Sequence, residues 1–111
     1  MENQSASSSF PEIMTLSGLV EYQTGSVVSR TLIKKEKGTL TLFAFDNGEA
    51  LSEHTAPFDA FVYILDGAAS VTIEEKSYQL SAGEALILPA NRPHSVKAVQ
   101  RFKMLLTMIR S

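Results

Sequence analysis

The sequence contains no cysteine and no tryptophan. Without thiols there are no disulfides, zinc–cysteine sites, iron–sulfur ligands or thiol nucleophiles. The redox state of the compartment is left open. Neither charge dominates: ten Lys and Arg face twelve Asp and Glu, a formal net charge of -2. No broad cationic field results, so nucleic-acid binding has no electrostatic support. No apolar stretch approaches the ~20 residues of a membrane span, and the N-terminus shows no basic segment followed by an apolar one. These absences predict a cytoplasmic protein with no nucleic-acid or membrane partner. A helical period is missing too. Its nearest candidate, Thr55 to Val62, is interrupted by Pro57.

What remains is a chain of 111 residues, 44% hydrophobic and 20% charged, enough for one domain with one core. Residues 1–9 are polar, with the run Ser5-Ala6-Ser7-Ser8-Ser9, and read as a flexible tail ahead of a domain over residues 10–111. Short β-rich stretches follow, separated by turn residues. Val20 to Tyr22 and Val27 to Leu32 read as edge strands, and Lys34 to Lys37 as a solvent-facing turn. In Thr39 to Phe45, Leu40, Leu42 and Ala44 share one face and Thr39, Thr41, Phe43 and Phe45 the other. Ala60 to Leu65 is apolar on both faces and is expected to end at Asp66-Gly67. Ser70 to Glu74 and Ser77 to Leu80 form a hairpin around Glu75-Lys76. Ala85 to Leu88 runs into Pro89. His94 to Val99 and a last strand carrying Phe102, Met104, Leu106 and Met108 are expected to flank a turn. Strands at this spacing predict an all-β sandwich or barrel.

The chain has two histidines, His54 and His94. Each lies near a strand start, and only tertiary structure can bring them together. If they meet, imidazole suits Fe, Mn, Ni, Cu or Zn. Two such donors are a thin set, since zinc sites use three or four protein ligands. The competing reading is two ordinary polar residues near a barrel mouth.

The register around these histidines resembles the two motifs of the cupin superfamily. In the first, Gly48 is followed by five residues and His54, and Gly67 closes the motif. Ala56 stands where a second histidine belongs and Ala60 where the glutamate belongs. In the second, Gly83, Pro89 and His94 fall in register, with Asn91 replacing the internal glycine and Ala98 the terminal asparagine. The motifs cover about a third of the chain, and the strand pattern extends the likeness across the domain. The resemblance implies a double-stranded β-helix, a jelly-roll barrel of two antiparallel sheets. It places His54 and His94 close together inside. Cupins with metal use three histidines and one glutamate, so the four-ligand centre is expected to be absent. Water, a bound small molecule, a partner chain, Asp59 or Glu53 would have to complete a two-histidine site. Strand alternation argues against the last two.

With His54 facing inward, the expected pocket is Ala56, Ala60, Val62, Ile64, Val96, Ala98, Phe102 and Met104, with Arg92 at the mouth. Leu106 and Met108 are further candidates. Such an apolar cavity with two polar points suits a small-molecule ligand. The alternative is a barrel filled by its own core, which methionines serve well. A histidine pair also supports acid–base work on a small substrate. The functions weighed are therefore a small-molecule-binding module with weak metal affinity, a dioxygenase-like or isomerase-like enzyme, and a stand-alone sensing domain. No helix-turn-helix segment supports the last. Phe61 and Tyr63, opposite Val62, and Phe43 and Phe45 are candidates to cover a second copy or to pack within the fold. The resemblance implies a homodimer.

Overall fold

The computed structural model describes residues 11–111. The tail expected over residues 1–9, and Phe10, lie outside the described residues. The described chain begins with a 3-10 turn, Leu16–Gly18, followed by β1 (Val27–Lys35), β2 (Gly38–Phe45), β3 (Ala50–His54), β4 (Asp59–Ile73), β5 (Lys76–Ser81), β6 (Ala85–Leu88) and β7 (His94–Ile109). All strand pairs are antiparallel. The fold is all-β, as the sequence predicts.

Two long strands organise it. β4 and β7 pair from Asp59↔Ile109 to Ile73↔His94. Each changes its other neighbour half-way. The first half of β4 pairs with β6 and the second with β5. The first half of β7 pairs with β3 and the second with β2, whose other edge carries β1. The inner faces of the two halves meet in one core containing Phe45, Val62, Ile64, Val71, Leu80, Val96, Phe102 and Met104. Phe45 and Phe102 stack at 4.3 Å between centroids and fill the barrel beyond the site.

The strands expected to end at Asp66-Gly67 and to turn at residues 99–101 instead run through. Both are bulged there: the register shifts between Ile64 and Asp66 and again between Gly67 and Ala69. On β4 the first shift inserts one residue, which reverses the inward parity. Ala60, Val62 and Ile64 are buried before it, and Ala69, Val71 and Ile73 after it. On β7 the second shift inserts two residues, so the even-numbered inward set continues from His94, Val96 and Ala98 to Phe102 and Met104. Gly67 makes the corner possible. It has φ 77, and a Cβ there would lie 1.7 Å from the Arg101 carbonyl oxygen.

The segment Val20 to Tyr22 is not a strand. It lies outside the sheet, where Val20, Leu16, Leu19 and Tyr22 cover Leu42, Ala44 and Leu105. Lys103 Nζ donates to the Ser17 carbonyl at 2.6 Å, and the Tyr22 hydroxyl donates to Asp66 at 2.6 Å. These polar ties anchor the covering segment, residues 16–22, on the outside of the sheet. The hairpin after β4 turns at Glu74-Glu75, one residue earlier than expected, with Glu74 at φ 57. Phe43 and Phe45 pack inside the barrel, leaving Phe61 exposed on the outer face.

Candidate functional site: a two-histidine cavity

β3 ends and β7 begins with a histidine, and the ladder sets them opposite each other: His54 and His94 are Cα partners. Their ring centroids are 4.5 Å apart with an interplanar angle of 66°. Each ring is fixed in the same way. His54 Nδ1 lies 2.9 Å from the Ser52 carbonyl oxygen, and His94 Nδ1 lies 3.1 Å from the Arg92 carbonyl oxygen. A carbonyl only accepts, so Nδ1 is the protonated nitrogen and donates. The neutral rings therefore carry their lone pairs on Nε2. Among the described residues, neither Nε2 has a protein hydrogen-bond partner.

The two rings differ in setting. His54 is exposed and His94 is 9% exposed, the one polar side chain among the buried described residues. Burial is the main cause that lowers the His94 pKa from its ordinary 6.5; the bond to Arg92 opposes this and the neighbouring His54 adds to it. His94 is thereby held neutral at pH 7.

Behind the pair lies a cavity of about 50 Å³, walled by Leu51, Ala56, Phe58, Ala60, Val62, Leu88, Val96, Met104, Leu106 and Met108 with the two histidines. Since one water needs roughly 10–15 Å³ of such space, it holds a few water molecules or a few heavy atoms. Its mouth is braced. Asn91 N–H donates to the Ala56 carbonyl at 2.8 Å, and Ala90 N–H donates to Asp59 Oδ1 at 2.9 Å. The β3–β4 and β6–β7 loops are thus locked together. Asn91, where the resembling motif has glycine, sits at φ 65, a conformation asparagine tolerates better than most residues.

Ala56, Ala60, Val62, Val96 and Met104 line the cavity, together with Leu106 and Met108. Ile64, Ala98 and Phe102 do not. They face inward but lie beyond the cavity, in the packed core. Alternation gives the face of a strand, not the depth at which packing closes. Arg92 lies beside the site, its carbonyl oxygen against His94 Nδ1 and its side chain exposed, 3.9 Å from Glu74. Leu51, Phe58 and Leu88 were not anticipated. Leu51 was readable as the inward neighbour opposite Val96 only once the β3–β7 pairing was known.

The four-ligand centre of metal-holding cupins does not fit these residues. Ala56 and Ala60 reach the wall but offer no donor. Glu53 is exposed and absent from the wall, and Asp59 is engaged with the Ala90 amide. Among the described residues, no three His, Cys, Asp or Glu side chains gather as an ion site.

The fold and site define a small antiparallel barrel closed over an apolar cavity with two imidazoles at its mouth. A family model described as a cupin domain matches residues 41–109. The chain belongs to the cupin family. It is similar to a conserved protein of unknown function from Streptococcus pyogenes, at 32% identity and a TM-score of 0.89 over 92% of this chain and 90% of that one. A cupin superfamily protein from Desulfitobacterium hafniense is 29% identical, with a TM-score of 0.86 over 90% of this chain and 92% of that one. A cupin 2 conserved barrel domain protein from Leptotrichia buccalis is 40% identical, with a TM-score of 0.85 over 87% of this chain and 47% of that longer chain. No curated protein matches the chain.

Proposed function

We propose that the protein binds a small organic molecule through the His54–His94 cavity. The observation that carries this reading is the pair of Nε2 acceptors, both unpartnered among the described residues, at one apolar pocket. The His94 acceptor is buried, where lacking a donor is costly, so the favoured ligand brings hydrogen-bond donors: an alcohol, an amine or an undissociated acid. At about 50 Å³ the cavity takes only the tip of a larger molecule, since sites that enclose drug-sized ligands start near 300 Å³. The rest of the ligand lies at the mouth beside exposed His54. Brackets from the two loops reduce the ordering cost of binding.

A second reading, acid–base catalysis on a small substrate, is favoured by the contrast between buried, neutral His94 and exposed His54. A buried neutral base beside a ring open to solvent can divide proton acceptance and release. A homodimer through the outer sheet face is part of the proposal. Phe61, Ile87 and Ile109 are 42%, 61% and 60% exposed there around one shallow groove, and association would bury them.

Ligand-detected NMR against a library of small alcohols, amines and carboxylic acids tests the main reading. Binders that shift the His54 and His94 ring signals, and are lost in both His54→Ala and His94→Ala, support it. Binding that survives both substitutions sinks it. Turnover of a bound compound would select the catalytic reading.

A further inference from the structure

Among the described residues the cavity wall carries no lysine, arginine or carboxylate, and it carries one phenyl ring, that of Phe58. A cation sits on this ring. The Arg110 guanidinium carbon lies 5.6 Å from the Phe58 ring centroid, within the range of a cation–π contact. The strand register explains the meeting. The β4–β7 ladder ends at Asp59↔Ile109, so Phe58 and Arg110 are the residues just beyond it on the two strands. The Arg110 N–H donates to the Lys37 carbonyl at 2.9 Å, which fixes its backbone one step past the sheet. Residues 55–58 link His54 to the start of β4, so the ring and its cation lie at the same end of the barrel as the histidine pair.

Arg110 is placed to take a ligand group. A contact with a π face leaves guanidinium N–H donors for another partner, in a fork that matches a carboxylate. The side chain is exposed, and among the described residues no carboxylate lies within ion-pair distance of it. The acid next to Phe58 is engaged elsewhere, since Asp59 Oδ1 accepts from the Ala90 amide. Arg92 is turned towards Glu74. The ring beneath Arg110 restricts the guanidinium before any ligand arrives, which lowers the ordering cost of binding.

Charge then divides the ligand between cavity and rim. An ionised group inside the uncharged wall would meet a large desolvation cost, whereas at the rim it can pair with Arg110 in water. The tip that enters must instead be neutral and donate to His94. A cavity of about 50 Å³ admits only such a tip. We infer that Arg110, held on Phe58, selects ligand charge, and that the ligand is a short-chain hydroxy acid: its hydroxyl donates to His94 Nε2 and its carboxylate stays outside on the guanidinium. The inference rests on the small-molecule reading of the cavity and names the ligand class for it.

The test is NMR titration of the whole protein with γ-hydroxybutyrate, n-butanol and aminobutanol, read on the His54 and His94 ring signals. The three share a hydroxyl end and differ in the charge of the other end. The pair ε-hydroxycaproate and n-hexanol repeats the comparison with a longer chain. The better hydroxy acid should bind at least about tenfold tighter than its matching alcohol, and the amino alcohol should bind most weakly. Arg110→Gln, at an exposed position, should keep the fold and bring the acid down to the affinity of the alcohol. Arg110→Lys should retain part of the advantage, because the charge remains and the fork is lost. Added salt should shrink the advantage in the parent. Alcohols that bind as tightly as the acids, or an acid advantage that Arg110→Gln retains, overturn the inference; if the alcohols still move the histidine signals, the cavity reading stands. If no compound of the series moves them, both fail.

Discussion

His54 and His94 are direct partners across the β3–β7 ladder, and their rings meet edge to face at 4.5 Å between centroids. The strand register alone produces this meeting. β7 carries both His94 and, at its far end, the methionines that wall the same cavity. One long strand thus supplies the polar mouth and the apolar interior, and the bare backbone of Gly67 on β4 lets it pass close at Arg101.

Acid pH should destabilise the fold through His94. Its folded pKa is lowered from 6.5, so the unfolded chain binds the proton more readily. Stability therefore rises with pH between the folded value and 6.5, is full above it, and is lost below. Urea midpoints measured from pH 8 to pH 5 should fall, and His94→Gln should flatten that part of the profile. His54→Ala should reduce the slope and not abolish it, because burial, not the neighbouring ring, is the larger cause.

Gly67→Ala should be among the most damaging single substitutions. It adds a Cβ to a left-handed residue and drives it into the Arg101 carbonyl. The expected loss is about 4 kcal/mol or more in denaturant unfolding. Gly83→Ala is the control. Its φ is 90, but nothing lies within 4 Å of the added atom, so backbone strain alone should cost about 1–2 kcal/mol.

Rebuilding the missing donors should convert the cavity to a divalent-metal site. Ala56 and Ala60 both reach its wall. The double variant Ala56→His, Ala60→Glu should bind Ni(II), Mn(II) or Zn(II) stoichiometrically by elemental analysis. Without metal it should lose about 3 kcal/mol, because a carboxylate enters a buried apolar position unpaired. Added metal should restore the thermal midpoint. A variant as stable as the parent, indifferent to metal, would show that these positions do not converge.

Much of the fold was legible because its strands alternate cleanly. The two faces of β2 came out as read, with Leu42 and Ala44 outward under the N-terminal segment and Phe43 and Phe45 inward. Breaks were harder. Asp66-Gly67 and residues 99–101 look like turns locally but are bulges in continuous strands, and only the paired partner distinguishes the two. Val20 to Tyr22, with its β-favouring valine and tyrosine, suggested a strand, yet it packs as a cover over Leu42 and Ala44 and is anchored by the Tyr22 hydroxyl on Asp66. At the site, the histidine pair and the empty alanine positions were readable from motif register. The cavity's depth was not, because Ile64, Ala98 and Phe102 share the inward face with the true wall residues and differ only in how tightly the barrel closes around them.

The most direct test of the account reads the ring nitrogens themselves. Long-range proton–nitrogen NMR at pH 8 on the metal-free protein assigns the tautomer of each histidine. The structure predicts that both rings carry their proton on Nδ1 and a bare lone pair on Nε2, with a through-space contact between the rings. A proton found on Nε2 of either ring, or two rings with no mutual contact, would contradict it.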